Sequence, residues 1–172
     1  MVLIDCPPRL LTGSVNALAA STHVLVPTIL DGQTHTATLN TLQAIQLFRQ
    51  KLNPALKTIG VVPSLVSSGT GYSPLERDTI AELEREIAKF HEPIPVLKER
   101  PIMRKAQIAK AGGNEVVYFS AAQDQETENI RSMFANLGKY IEQQVSWKQP
   151  ENNPVYDISG GHHEDRRFAS SS

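Results

Sequence analysis

Short apolar runs alternate along this chain with longer stretches in which apolar residues recur at helical spacing. The runs Val2–Ile4, His23–Val26 and Thr58–Val62 are partly β-branched, and a weaker run lies around Ile94–Leu97. Proline follows each of the first three, at Pro7, Pro27 and Pro63. Because proline cannot donate a hydrogen bond to a neighbouring strand, each of these runs is predicted to be a strand that ends there.

Three amphipathic helices are predicted between and after these strands. The first ends at Asn53-Pro54 and presents one apolar face of Leu39, Leu42, Ile45, Phe48 and Leu52. The second begins at the capping box Ser73-Pro74-Leu75-Glu76 and presents Ile80, Leu83, Ile87 and Phe90. The last is expected from about Asp124 to Val145, with an inward face of Ile130, Met133, Phe134, Leu137, Ile141 and Val145.

Strands that alternate with helices predict an α/β fold, a doubly wound and mostly parallel sheet with helices on both faces. Ligands of such sheets bind beyond the carboxyl ends of the strands, where Asp5, Pro27 and Pro63 would share one rim. We assign residues 1–146 to this domain. Residues 147–172 are polar and rich in Gly, Pro and Ser, and we predict a disordered tail. Its pair His162-His163 could bind a metal, but it has no accompanying cysteine and no partner at helical i,i+4 spacing, so we assign no metal site to it.

Composition sets the broad class of the protein. The 172 residues are 40% hydrophobic and 20% charged, which suits one globular core, and the net charge of −1 neither supports nor excludes DNA binding. The single cysteine, Cys6, cannot form an internal disulfide and has no His or Asn placed to activate it. We therefore expect a cytoplasmic protein. No apolar run approaches the roughly 20 residues that span a bilayer, so no membrane association is expected.

The first run carries the candidate chemistry. Val2-Leu3-Ile4-Asp5 has the form of a Walker B strand, whose terminal carboxylate meets a magnesium-bound nucleotide. Mg²⁺ prefers hard oxygen ligands and keeps several waters, so one aspartate suits such a site. The alternative interpretation is that Asp5 only caps the following turn.

The continuation of this run resembles the ParA/Soj partitioning ATPases, members of the ParA/MinD superfamily with a deviant Walker A loop. The resemblance covers roughly Met1 to Val145. It is carried by Asp5-Cys6-Pro7-Pro8, Asn16-Ala17-Leu18-Ala19-Ala20, Val24-Leu25-Val26-Pro27, Leu52-Asn53-Pro54 and Gly60-Val61-Val62. It implies a P-loop NTPase fold whose first strands are missing here, ATP and Mg²⁺ as cofactors, and slow ATP hydrolysis. It also implies a homodimer formed on ATP, nonspecific DNA binding at the nucleoid and a stimulating ParB-like adaptor.

The same resemblance assigns residues to roles. Asp5 matches the magnesium aspartate, and Pro7 and Pro8 match the start of the switch that follows it. On the base side of the nucleotide, Ser64 matches the position after the third strand, and Glu99 and Arg100 occupy a loop where the family has a Pro-Arg type sequence. Arg104 and Lys105 match a basic, DNA-contacting position. Together with Lys98, Arg100 and Lys110 they form a positive cluster, for which a solvated helix face is the alternative interpretation.

No phosphate-binding loop occurs among these residues. Gly138-Lys139 lies within the last predicted helix without an upstream glycine at the required spacing, and Gly69-Thr70-Gly71 has no lysine. In the family, the P-loop strand and the first switch precede the equivalent of Val2. We therefore expect the isolated chain neither to bind ATP tightly nor to hydrolyse it, and we expect an open sheet edge prone to pairing.

Three functions remain from the sequence. The first is an ATPase fragment serving chromosome or plasmid partitioning, or related cargo positioning. The second is a degenerate, non-catalytic interaction module that retains the dimer or partner surface. The third, division-site placement of the MinD kind, is disfavoured because Gln149–Ser172 has no apolar face for a membrane helix.

Overall fold

The computed structural model of the protein describes residues 1–6, 11–32, 34–67, 71–110 and 124–146. Three strands within these ranges form a parallel sheet in the order β1-β2-β3. The α/β fold predicted from the sequence is thereby confirmed. The elements in chain order are α1 (Thr12–Ala20), β1 (His23–Ile29), α2 (Thr34–Lys51), β2 (Lys57–Val66), α3 (Pro74–Ile87), β3 (Ile102–Met103), α4 (Ala106–Lys110) and α5 (Gln125–Gln144).

Both described strand prolines lie inside strands, so the prediction that they end the strands is wrong. Pro27 pairs in register with Val62, and Pro63 pairs with Thr28. The amide of Lys57 donates to Thr22 O at 3.0 Å, so alternate residues from Thr22 onward direct their backbone groups to β2. Pro27 belongs to the other set of alternate residues, whose backbone groups point away from β2. Its missing N–H therefore removes no hydrogen bond between β1 and β2.

Pro63 avoids the same conflict on the other side of β2. Val61 exchanges backbone bonds with Pro95 and Leu97 at 2.9 and 2.8 Å, so Pro63 also faces that segment. Opposite Pro63 the segment turns away at residues 98–101 and returns as β3, which pairs with Ser64 and Val66. The strand predicted around Ile94–Leu97 is therefore a single bridge, Val61 to Val96.

The predicted first strand does not form. Residues 1–6 have no regular secondary structure, and Val2, Leu3 and Ile4 are 86%, 77% and 50% exposed. No described strand lies beside them, and a strand without a partner leaves its backbone groups unpaired. The expectation that Asp5 stands at the tip of a buried strand is corrected accordingly.

The core lies between the sheet and the helices α1, α2 and α3. Val26 and Val61 of the sheet belong to this core. The helix residues that pack with them include Leu18, Leu42, Ile45, Phe48, Ile80, Leu83 and Ile87. The apolar faces predicted for the first two helices are therefore largely confirmed. Leu52, predicted on the same face, lies beyond the end of α2 and is 65% exposed.

Helix ends are held by side chains. The capping box predicted at Ser73 and Glu76 is present, with Ser73 N–H donating to Glu76 Oε2 at 2.7 Å and Glu76 N–H donating to Ser73 Oγ at 3.3 Å. Asp124 caps α5 through Thr127 N–H at 2.8 Å. The side-chain amide of Asn53 donates from Nδ2 to Leu18 O and Ser21 O, both at 2.9 Å, and so satisfies carbonyls at the end of α1.

The last helix packs against β2 and β3. Met103 N–H approaches Met133 Sδ at 3.4 Å, and the Tyr140 hydroxyl donates to Ile59 O at 2.5 Å. Only the first part of the predicted inward face is fully buried: Ile130 is 0% exposed, whereas Phe134 is 38% exposed. Among the described helices, none is long and apolar enough to cross a membrane.

Candidate functional site

The carboxyl ends of the three strands form one rim of the sheet, because the strands are parallel. Ser64 lies near this rim in register with Ile29 of β1 and Ile102 of β3. It belongs to β2 itself, not to the loop after the strand as predicted, because β2 continues through Pro63 to Val66. Its hydroxyl donates to Val62 O at 3.3 Å.

A loop of residues 98–101, here called the rim loop, lies beside Ser64 because it leads directly into β3. The Tyr72 hydroxyl donates to Lys98 O at 2.7 Å. The guanidinium carbon of Arg100 lies 5.1 Å from the centre of the Tyr140 ring, a distance at which a cation is attracted to an aromatic face. Two tyrosines, one before α3 and one in α5, therefore hold the rim loop against the sheet.

The charges of the rim loop face different partners. Lys98 Nζ lies 2.8 Å from Glu84 Oε1 of α3, and hydrogen bonding to that carboxylate raises the pKa of Lys98. Glu99 is exposed. Burial, together with the negative charges of Glu99 and Glu76, raises the pKa of Tyr72 to about 12, so this hydroxyl stays protonated and remains a donor at neutral pH.

Glu76 connects the end of β2 to α3. Besides its part in the capping box, its Oε1 accepts from Ser67 N–H at 2.9 Å, and the residue is only 6% exposed. Burial alone would raise the pKa of this carboxyl. The bonds from Ser67 and Ser73 outweigh burial, however, and the pKa lies below its ordinary value of 4.5.

The basic residues predicted to touch DNA lie at the same rim. The Arg104 N–H donates to Val66 O at 2.8 Å, which places Arg104 directly after β3 with an exposed side chain. Lys105 is half-buried. Of the other cluster members, Lys98 is paired with Glu84 and Arg100 lies over Tyr140. The positive cluster thus centres on Arg104.

The predicted phosphate side is not assembled by the described residues. Asp5 lies in the exposed amino-terminal segment outside the sheet, and Pro7 and Pro8 lie outside the described residues. In the described ranges no group of three or more His, Cys, Asp or Glu could hold a metal ion. A single carboxylate fits Mg²⁺, which is commonly held by one or two carboxylates, waters and phosphate oxygens.

Two clefts lie in the described part of the molecule. One, of about 270 Å³, adjoins the Arg49–Glu92 ion pair at the end of α2, and the other, of about 390 Å³, adjoins Asp124 at the start of α5. The end of α2 leads back to the start of β2, so the first cleft lies at the opposite rim of the sheet. Neither cleft contains a residue predicted for the site.

Tyr72 and Glu76 lie at the rim, whereas Tyr140 contacts Arg100 from a position beside Ile59, five residues before Ser64 on β2. Sequence analysis assigned the tyrosines no role. Tyr140 lies outside the predicted apolar face of α5, and Ile59, whose carbonyl it binds, is skipped in the register between β1 and β2. A strand irregularity of this kind leaves no clear mark in one sequence. Tyr72 follows Gly71, where the only available signal was a flexible loop.

Comparison with known proteins gives a likeness of structure only. No protein-family model and no curated protein matches the chain. Cobyrinic acid a,c-diamide synthase from Mycobacterium smegmatis, solved with bound ADP and magnesium, shares 23% identity over 87% of this chain and 50% of its own, with a TM-score of 0.52. A Cyanothece McdA variant in complex with ATP shares 16% identity over 80% of this chain and 48% of its own, with a TM-score of 0.54.

The chain shares the α/β fold of these P-loop NTPase-like proteins. The same synthase without the ADP complex aligns equally well, at 24% identity and a TM-score of 0.53. The chain spans about half the length of these proteins. Gly138-Lys139 lies inside α5, which agrees with its exclusion as a phosphate-binding loop.

Proposed function

We propose that this chain supplies the base-side half of the nucleotide site of a ParA/MinD-type ATPase. The observation that carries the proposal is the rim loop, which leads into β3 beside Ser64 and whose Lys98 carbonyl accepts from the Tyr72 hydroxyl. Nucleotides bind at this place in open α/β sheets. Two of the similar structures are described as complexes with ADP and magnesium or with ATP.

In this proposal Ser64, Glu99 and Arg100 face the base and ribose, and Asp5 is the carboxylate for Mg²⁺. The bound ion would neutralise charge on the phosphates. A glycine-rich loop that cradles those phosphates would complete the site. Hydrolysis is therefore proposed for the complete site and not for this chain alone.

The biological process proposed is partitioning of a chromosome or plasmid, or positioning of another cargo. Arg104 and Lys105 would contact DNA phosphates nonspecifically, a ParB-like adaptor would stimulate hydrolysis, and two complete subunits would dimerise on ATP. Support for these finer roles is the sequence resemblance together with the exposed position of Arg104 at the rim. The alternative is an interaction module without nucleotide chemistry.

Base recognition can be tested directly on the 172-residue chain. Backbone amide shifts in a ¹⁵N-labelled sample would be followed during titration with Mg·ATP and, separately, with magnesium tripolyphosphate, which has no base. We expect ATP to shift Ser64, Glu99 and Arg100 with a Kd of about 1 mM or weaker, since the phosphate contacts are lacking. Tripolyphosphate should leave these amides unchanged.

A matched pair of variants sharpens this test. Arg100→Gln should reduce the ATP-dependent shifts at Ser64 and Glu99, whereas Arg85→Gln, an exposed change on α3, should preserve them. Absence of shifts with ATP, or equal shifts with tripolyphosphate, contradicts the proposal and favours the interaction module.

A further inference from the structure

Leu65 adopts a left-handed backbone conformation near the end of β2. Its φ is +55°, and among the described residues other than glycine only Ser146, at +51°, also has a positive φ. The Cβ of an L-residue crowds the following carbonyl in this conformation, so glycine and asparagine adopt it more readily than leucine. Ser146 directly follows the cap of α5, a position where helices commonly end with one left-handed residue. Leu65 lies within a strand, where that explanation does not apply.

A bulge in the pairing of β2 with β3 contains Leu65. Ser64 pairs with Ile102 and Val66 pairs with Met103, so two steps along β2 match one step along β3. Leu65 is the extra residue. Bulges are frequent next to ligand sites, where they change the direction of a side chain. Because β2 ends at Val66, this bulge lies at the rim of the sheet.

The side chain of Leu65 is more exposed than those of its neighbours. Leu65 is 44% exposed, whereas Val66 is 1% exposed and Ser64 is half-buried. A single exposed leucine needs no explanation, but this one combines exposed apolar surface with an unfavourable backbone conformation. Strained residues of this kind concentrate at ligand sites. Asparagine would suit the backbone better, so the leucine indicates that its apolar side chain has a use at the rim.

We propose that Leu65 packs against the flat face of the nucleotide base and so positions the base at the rim. This inference rests on the proposed function, which places the base beside Ser64 and the rim loop. Ligand sites combine an apolar lining with a few polar groups. The residues already assigned to the base and ribose, Ser64, Glu99 and Arg100, are all polar, and Leu65 supplies the apolar contact. A phosphate compound without a base gains nothing from this contact.

Leucine methyl resonances test this contact without any substitution. The chain, labelled with ¹³C at its leucine methyl groups, is titrated with Mg·ATP and, separately, with magnesium tripolyphosphate. A methyl group that lies over the face of an aromatic base moves upfield because of the ring current of that base. We therefore expect Mg·ATP to shift the Leu65 methyls upfield and tripolyphosphate to leave them unchanged. Leu47, a 55% exposed leucine of α2, is the internal control, and its methyls should not shift with either compound.

A pair of variants separates base contact from a purely structural role. Leu65→Asn removes the apolar side chain and suits the left-handed backbone, so its Tm should stay the same or rise. At a fixed, subsaturating concentration of Mg·ATP, its amide shifts at Glu99 and Arg100 should be about fivefold smaller than in the unmodified chain. The control Ser146→Gly relieves the same kind of strain at the end of α5 and should leave those shifts unchanged.

The possible results distinguish this inference from the proposed function. If Mg·ATP shifts the amides of Ser64, Glu99 and Arg100 but not the Leu65 methyls, the base-side site stands and the Leu65 contact is wrong. If Mg·ATP shifts neither, both are wrong. Equal methyl shifts at Leu65 and Leu47 show only nonspecific contact with the base and overturn the inference. A lower Tm for Leu65→Asn with unchanged ATP-dependent shifts also overturns it, because the leucine then serves the fold alone.

Discussion

Single side chains connect segments of the rim that are distant in the sequence. Glu76 accepts from Ser73 within its own helix start and from Ser67 at the end of β2. The first bond was predictable, because a capping box depends on residues three positions apart. The second was not, because Ser67 and Glu76 meet only when α3 packs on the sheet. The sequence therefore predicted the hydrogen bonds within the helix start, but not the hydrogen bond from the end of β2 to α3.

Glu76→Gln tests this link. The variant retains the shape of the side chain but loses the charge that accepts two backbone N–H groups, so we expect the free energy of unfolding at pH 7 to fall by about 1–2 kcal/mol. The folded pKa lies below 4.5, so the stabilisation is present above that pH and is lost as pH falls through the folded pKa. Urea denaturation at pH 7 and in the acid range measures both.

Ser73→Ala is the matched control for the pH dependence. It removes the hydroxyl that accepts from Glu76 N–H and helps to lower the pKa of the Glu76 carboxyl, but it leaves the backbone bonds from Ser67 and Ser73 to that carboxyl, and it should cost about 1 kcal/mol. Its effect should depend on pH much less than that of Glu76→Gln. Equal pH dependence for the two variants would show that the carboxylate is not the stabilising group.

Strands and their connections show where the sequence rules held. The alternation of apolar runs with helical periodicity correctly predicted β1, β2 and the helices between and after them. Proline misled the prediction of strand ends, because the cost of a missing N–H depends on which neighbour that N–H would face. The backbone nitrogen of Pro27 points away from β2, and that of Pro63 points to the place where residues 98–101 turn away from β2. Neither direction can be read from one sequence. Val2–Ile4 has strand composition but no adjacent strand.

Gly60 is a sensitive position within β2. Its φ is +156°, and a Cβ there would lie 3.1 Å from both Pro95 O and Leu97 Cγ. Gly60→Ala should therefore lower the free energy of unfolding by about 1–3 kcal/mol, because backbone of the neighbouring segment must move. Thermal or urea denaturation measures the change.

Gly138→Ala is the opposite case and serves as the control. Gly138 lies within α5, and a Cβ there would meet nothing within 4 Å. Replacing a mid-helix glycine with alanine should raise stability by about 0.5–1 kcal/mol. A gain for Gly60→Ala as well would contradict the close approach of Gly60 to the Pro95 segment.

At the scale of the whole molecule, the class of fold was predictable and the arrangement of the candidate site was only partly so. Alternating elements sufficed for the α/β fold. Ser64 and Arg104 were assigned through family resemblance, and the structure places both at one rim. The contacts of the rim loop with Tyr72 and Tyr140 join distant parts of the chain, and no local pattern encodes them. Net charge, at −1, gives no overall attraction to DNA, so any DNA contact must be local.

Charge reversal at Arg104 tests that local contact. Arg104→Glu should weaken DNA co-sedimentation and reduce the slope of log affinity against log salt by about 1, as expected for the loss of one phosphate contact. Arg85→Glu changes the net charge equally at an exposed site on α3 and should have a smaller effect. Unchanged binding for Arg104→Glu, or equal losses for both variants, counts against a DNA surface at the rim.

The side-chain amide of Asn53 joins the end of α1 to a residue that is synthesised later. It binds carbonyls at the end of α1, a helix of nine residues that is too short to be stable alone. The ribosome releases α1 more than thirty residues before it releases Asn53. The carbonyls at the end of α1 can therefore bind only water, and not Asn53, until β1 and α2 have left the exit tunnel.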